Sequence, residues 1–355
     1  MKAIVLERPG LLQSITMEVP GTPGPGEALI RIHSVGVCGT DQHAFRGEQP
    51  FFTYPRILGH ELGVEIVALG PHTDNTGHVG AINLAPTVGA INLAPTMRCA
   101  LEPYFYCGHC APCRRGVTNC CVNIKVFGVH IDGGMRELAI VPTIQLHPSS
   151  TLSFEQLALV EPLSIGAHAV RRGQVAKEEC VLIVGAGPIG LSVVQFALLA
   201  GARVLVIDIS EQRLAFCKSQ WPEVVCINGN GDALAALQAV VSDDLPTTVF
   251  DATGNPKSMM AAFHYVAYGG RLIYVGLFQG DITFHDPDFH SHELSLLSSR
   301  NATAEDFHQV IAALEGGLIE LAPWITHRAT PDAVVDVFPT WFDRNSGIIK
   351  AVITF

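Results

Sequence analysis

The chain has 355 residues, of which 48% are hydrophobic and only 15% charged, and a formal net charge of −11. That length suits about two domains, and the apolar content excludes a disordered chain. The acidic balance, with no basic stripe to neutralise phosphates, argues against a nucleic-acid partner.

Residues Met1–Glu7 carry early charge and no long apolar run, so no secretory signal is expected. The first 150 residues read as strand-rich: Ala28–His33 and Gly63–Val67 alternate apolar with polar, and turns such as Pro23-Gly24-Pro25-Gly26 punctuate them. The nonapeptide at residues 79–87 recurs identically at 88–96, which reads as a duplicated surface hairpin turning near Pro86–Gly89. Ser153 with Gln156 forms a capping-box pair, and the helix it opens is expected to end at Glu161-Pro162. From Val181 the texture becomes strand–helix–strand: Val181–Val184, Pro188–Ala200, Arg203–Ile207. Further strands are expected at Thr248–Asp251 and Arg271–Gly276, with a helix between them ending at Gly269-Gly270. Thr303 with Asp306, and Thr330-Pro331, each open a later helix. The alternation predicts an α/β chain with a doubly wound parallel sheet. Its domains are expected at 1–155, 156–292 and 293–355, the middle one binding nucleotide and the last returning to the first. Residues 180–202 carry no charge and are long enough to span a bilayer. Gly185, Gly187, Pro188 and Gly190 fit a nucleotide-binding turn instead, so no membrane partner is expected.

Three constellations carry chemistry. Cys107, Cys110 and Cys113 fall at steps of three, with Cys121 in the same loop, and four thiolates can close a structural zinc site. Cys120 competes with Cys121 as the fourth ligand. Crowded cysteines in a chain of this length read as metal binding in a reducing, cytoplasmic compartment. Cys38, His60, Glu61 and Glu161 are dispersed; taken singly each has a packing explanation. Together they offer the mixed donors of a catalytic zinc with an open position. Gly185-Ala-Gly187-Pro188-Ile189-Gly190 stands between a predicted strand and helix, and Asp208 ends the next strand. The glycines permit close approach of a pyrophosphate to the helix N-terminus. Asp208 favours NAD over NADP, while Arg213 close by weakens that preference. His285, His290 and His292 near Glu293 read as a polar loop rather than a third metal site.

On these motifs, with Thr40-Asp41 and His43 following Cys38 and the run Gly59-His60-Glu61, the whole chain resembles the zinc-dependent medium-chain dehydrogenase/reductases. Gln49–Arg56, Gly128–Gly134, Ala167–Arg172 and Ser299–Thr303 are similar to the family's polyol and sugar-acid branch, the L-galactonate and L-gulonate 5-dehydrogenases above all. The chain departs from the pattern at the repeat, where the usual Val-Gly-Asp-Arg turn is split between Gly80 and Arg98. The resemblance implies a GroES-like, β-rich catalytic domain and a Rossmann domain that binds NAD. It implies two zinc ions per subunit. Cys38, His60 and Glu161 would hold the catalytic one, with Glu61 as exchangeable ligand or nearby carboxylate. Cys107, Cys110, Cys113 and Cys121 would hold the structural one. Thr40 and His43 would relay the proton while hydride passes from a secondary hydroxyl, at C5 of a sugar acid, to NAD. A substrate carboxylate needs a cation: Arg300 is the first candidate, with Arg56 and His130 behind it. A small-molecule substrate and a homo-oligomer, dimer or tetramer, complete the expectation. A neutral-polyol or simple secondary-alcohol dehydrogenase is the nearer alternative, and a non-catalytic nucleotide-binding protein the more distant one.

Overall fold

The computed structural model describes residues 1–49, 52–71, 93–241, 244–343 and 346–355. The expected hairpin over the repeat therefore lies outside the described residues, except for 93–96. The chain divides into two compact units, Met1–Glu161 with Ala302–Phe355, and Pro162–Asn301. Both crossings come later than the expected residues 155 and 292. The capped helix after Ser153 packs with the first unit, and Ser295–Ser298 is a sixth strand of the second unit's sheet, which carries the chain on to Asn301.

The first unit is built on a sheet ordered Leu146–Pro148, Arg98–Leu101, Glu61–Leu69, Glu27–Val37, Lys350–Thr354, Ile325–Ala329, with Leu138–Pro142 also paired to Glu27–Val37. Ala28, Ile30 and Ile32 point into the core while Arg31 is exposed, the period-2 alternation expected of a half-buried strand. Register then does functional work. Gly36 lies opposite Glu61 on one side, and Val37 opposite Ala351 on the other. A Cβ at Gly36 would come within 2.1 Å of Glu61 Oε2, so only glycine lets that carboxylate sit here.

The second unit holds six parallel strands in the order Val225–Asn228, Arg203–Asp208, Cys180–Val184, Thr248–Asp251, Arg271–Tyr274, Ser295–Ser298. Counted within the unit this is third, second, first, fourth, fifth, sixth, the dinucleotide-fold order. Val181–Val184 is buried along its length, as a central parallel strand covered on both faces must be. The apolar stretch 180–202 is thus a strand, a turn and the helix Pro188–Leu199. Among the described residues no helix is long and apolar enough to cross a membrane.

Capping boxes appear as expected at Ser153 and Thr303, opening Phe154–Ala158 and Ala304–Glu315. Thr330 caps Pro331–Val337 by accepting from Ala333 N. Two helix ends differ from expectation. The Ser153 helix stops at Ala158, and a new helix, Val160–Arg172, runs straight through Pro162. Pro162 falls in its first turn, where a missing N–H costs nothing. The helix after Thr248–Asp251 covers Pro256–Ala261 and tightens to a 3₁₀ turn over Ala262–Tyr265, well short of Gly269.

Candidate active site

Cys38 closes strand Glu27–Val37 and starts helix Gly39–Arg46, and its N–H donates to Asp41 Oδ2 at 2.9 Å. His60 and Glu61, both buried, come from the adjoining strand and the turn before it. Ligand atoms of Cys38, His60 and Glu61 all lie within 4.8 Å of one another. Glu61 Oε1 accepts from the buried Lys350 Nζ, which also donates to Val37 O at 3.2 Å. Glu61 Oε2, His60 Nδ1 and Asp41 Oδ1 are buried without a hydrogen-bond partner among the described residues. A thiol, an imidazole and a carboxylate converging with an orphaned oxygen fit a zinc with an open position.

Glu161 is held differently. It is buried, accepts from the Tyr104 hydroxyl, and does not join that three-residue group. Burial, with Glu61 adding and His60 opposing, pushes its carboxyl up to about 7. Burial disfavours a charged His60, yet Asp41, Cys38 and Glu161 around it outweigh that and hold its pKa well above the ordinary value. Asp41 Oδ1 lies 3.7 Å from His60 Nδ1. The Asp41 carboxylate thus faces one ring nitrogen of His60 as an ion pair, not a hydrogen bond, and leaves the other nitrogen for a metal. Asp41 was quoted in the sequence motif without a role, although its place three residues after Cys38 has capping spacing. Lys350 and Tyr104 carried no sequence signal at all. Thr40 is half-buried and His43 exposed, one turn apart on the same helix face, with His43 Nδ1 3.0 Å from Glu48.

The four-cysteine loop closes on itself. Cys110 Sγ is 3.3 Å from Cys113 Sγ and 3.8 Å from Cys121 Sγ, and Cys121 is 3.5 Å from Cys107. Zn–S bonds of about 2.3 Å at tetrahedral angles set sulfurs about 3.8 Å apart. Cys120 is exposed and outside the group, leaving Cys121 as the fourth member. Backbone N–H groups, that of His109 foremost, pull the Cys107 thiol down to about 6, whereas burial pushes Cys113 up to about 12.

In the second unit Gly185 has φ +100°, and a Cβ at Gly190 would stand 1.7 Å from Gly185 O. Strand, turn and helix therefore pack backbone against backbone, with Gly187 capping Pro188–Leu199 and Pro188 and Ile189 half-buried in its first turn. Asp208 Oδ2 accepts from Ala186 N at 2.6 Å and Oδ1 from Ser210 N at 2.8 Å. Each oxygen keeps a lone pair for a ribose hydroxyl. The Arg213 guanidinium reaches to 3.7 Å from where a Gly187 Cβ would be. Gly190→Ala is expected to destabilise this unit by about 1–3 kcal/mol through overpacking and to abolish NAD binding. Calorimetric titration with NAD checks it.

The remaining candidates divide. Arg56 pairs with Asp132, 76 residues further along the chain, at 3.2 Å and donates to Thr53 at 2.6 Å. His130 Nδ1 accepts from Val126 N at 2.9 Å. Arg300 is exposed, beside Asn301 at φ +52°. His285 pairs with Asp288 at 3.0 Å, and no three-ligand group forms at His285, His290 and His292 among the described residues.

Residues 24–151 match the alcohol dehydrogenase GroES-like domain, and residues 188–316 the zinc-binding dehydrogenase family. L-galactonate-5-dehydrogenase of Escherichia coli (strain K12) is 40% identical over all of this chain and 99% of that protein. L-idonate 5-dehydrogenase of Vitis vinifera is 32% identical over 86% of this chain and 82% of its own. The crystal structure of the alcohol dehydrogenase rspB from Escherichia coli CFT073, complexed with NADH, superposes with a TM-score of 0.88 at 31% identity, covering 100% of this chain and 99% of that one. With a GroES-like unit, a Rossmann unit and the donor sets of two zinc sites, the chain belongs to the zinc-binding dehydrogenases and is an enzyme of that family.

Proposed function

We propose that the chain oxidises a secondary hydroxyl of a sugar acid, of the L-galactonate or L-gulonate type at C5, with NAD as hydride acceptor. The observation that carries the chemistry is the convergence of Cys38, His60 and Glu61 beside an oxygen left without a partner. The full-length similarity to an L-galactonate-5-dehydrogenase supports the sugar acid, and the NADH complex of the rspB relative supports the cofactor. Asp208 at the strand end would repel a 2′-phosphate.

In this reading Cys38, His60 and Glu61 hold the catalytic zinc and Glu161 stands by as exchangeable carboxylate, reversing the roles expected of the two glutamates. Cys107, Cys110, Cys113 and Cys121 hold the structural zinc. When bound, zinc acts as Lewis acid on the substrate oxygen and NAD accepts the hydride. Thr40 accepts the hydroxyl proton while passing its own on towards His43, which, exposed and braced by Glu48, hands a proton to solvent. Asp41 fixes the His60 ring, and Lys350 fixes the Glu61 carboxylate. Arg300 meets the substrate carboxylate. The open edge of strand Ser295–Ser298, with Leu296 exposed, supports a homo-oligomer.

The test is NADH formation on L-galactonate, L-gulonate, D-gluconate, sorbitol and galactitol, before and after chelation. Chelator-sensitive turnover on a hexonate and none on the polyols is the expected result. Turnover confined to the neutral polyols would replace the sugar acid by the polyol alternative.

A further inference from the structure

A second buried chain of ionisable groups lies in the first unit, and the reaction so far leaves it unused. Glu102 and His147, 1% and 3% exposed, are joined Oε2 to Nε2 at 2.9 Å. His147 Nδ1 faces Nε2 of half-buried His308 at 3.2 Å. The His147 ring stacks on Phe307 at 5.0 Å, and Phe307 meets Tyr104 edge-on at 6.4 Å. Gln145 completes the clamp: its carbonyl accepts Glu102 N–H at 2.8 Å, and its Nε2 donates to Tyr104 O at 3.3 Å. Strand Leu146–Pro148 with Gln145, and helix Ala304–Glu315, therefore grip the piece Glu102-Pro103-Tyr104 between them. Tyr104 is the residue whose hydroxyl donates to Glu161.

Burying a carboxylate is costly unless it is paired, and a paired one admits few orientations. Apolar residues would hold a loop here at less risk. We propose that Glu102, His147 and His308 are positioning residues of the dehydrogenase reaction: through Pro103 and Phe307 they fix Tyr104, and through Tyr104 the Glu161 carboxylate. The inference rests on the reading above that places Glu161 in the reactive centre.

The hydrogen-bond arithmetic gives the chain a pH signature. With Glu102 accepting, His147 carries its proton on Nε2, so Nδ1 accepts and His308 donates from Nε2. One added proton, on either ring, still leaves a single N–H between the two nitrogens. With both rings protonated, two N–H groups oppose each other at 3.2 Å and the chain opens. Glu102 faces His147, and Tyr104 and Tyr106 from one side and Asp306 from the helix lie close enough to interact with the Glu102 carboxylate. Asp306 is engaged by Thr303, and Glu315 at the helix end by Ser149 and Thr151. Burial, and His147 next to it, hold His308 below the usual histidine range.

The experiment compares His308→Gln with His308→Leu, in zinc-loaded protein and on whichever alcohol the wild type oxidises. Glutamine can donate to a neutral His147 or turn its oxygen to a protonated one, whereas leucine can do neither. His308→Leu is expected to lower kcat about tenfold or more, the scale of lost support around a metal ligand, with KM for NAD unchanged. His308→Gln is expected to keep kcat and move its acid-side fall to lower pH. Hydrogen–deuterium exchange, which needs no substrate, is expected to speed up across residues 102–106 in the leucine variant alone. Equal exchange in the two variants overturns the clamp whatever the substrate proves to be. Faster exchange in the leucine variant with wild-type kcat and an unshifted acid limb overturns the catalytic role.

Discussion

Cys38→Ala is expected to lower turnover by about a thousandfold or more. A Lewis acid contributes several kcal/mol to the barrier, and about 4 kcal/mol corresponds to about a thousandfold. With Cys38 gone, His60 and Glu61 remain of that group among the described residues, and the site loses its one thiolate donor. The four-cysteine loop is intact in this variant, so zinc content is expected to fall by half rather than to nothing. Metal analysis beside steady-state kinetics checks both statements at once. The fold is expected to survive, because Cys38 sits at a strand-to-helix junction whose backbone is held by Asp41.

Lys350→Met is expected to cost about 3–5 kcal/mol of stability, the penalty for leaving one partner of a buried ion pair alone. Burial works against a charged Lys350, but Glu61, Cys38 and Glu161 around it outweigh that and raise its pKa above the ordinary lysine value. Methionine fills the volume and supplies no charge, so the carboxylate at Glu61, fully buried, loses its hydrogen-bonded cation and keeps only Cys38 and His60 of its group beside it. Adding Glu61→Gln to Lys350→Met is expected to restore most of the loss, since neighbours in one network are not additive. Thermal melts of the two single variants and the double variant measure this. The loss is expected to be larger after chelation, because a bound cation stabilises only the folded chain and takes over part of the neutralising role.

What could be read from the residues alone was whatever has a local cause. Ser153 with Gln156 and Thr303 with Asp306 are three-residue signals, and each opens a helix. The alternation in Ala28–His33 and the glycines between Val184 and Leu191 are equally local, as is the spacing of Cys107, Cys110 and Cys113. Proline at 162 misled because its effect depends on where a helix begins: in the interior it breaks one, in the first turn it does not. Ser295–Ser298 was missed as a strand because its side chains are mostly exposed, and an edge strand has little apolar pattern to show. The partners that tune the site were beyond reach for a different reason. Tyr104 meets Glu161 and Lys350 meets Glu61 across long stretches of chain; strand register brings the second pair together, and the first joins strand Tyr104–Phe105 to the start of helix Val160–Arg172. Arg56 and His130 were named for their charge, and their bonds to Asp132 and to Val126 N join residues whose pairing the sequence does not show.

The placement of Lys350–Thr354 also sets an order of events during synthesis. This strand, the last in the chain, lies inside the first unit's sheet between Glu27–Val37 and Ile325–Ala329. The Rossmann unit is continuous from Pro162 to Asn301 and can condense as soon as it leaves the ribosome. The first unit cannot: until Lys350–Thr354 emerges, Glu27–Val37 lacks that neighbour and Glu61 lacks its lysine. The nascent chain therefore carries a folded nucleotide-binding middle before the sheet that brings Lys350 to Glu61 is complete.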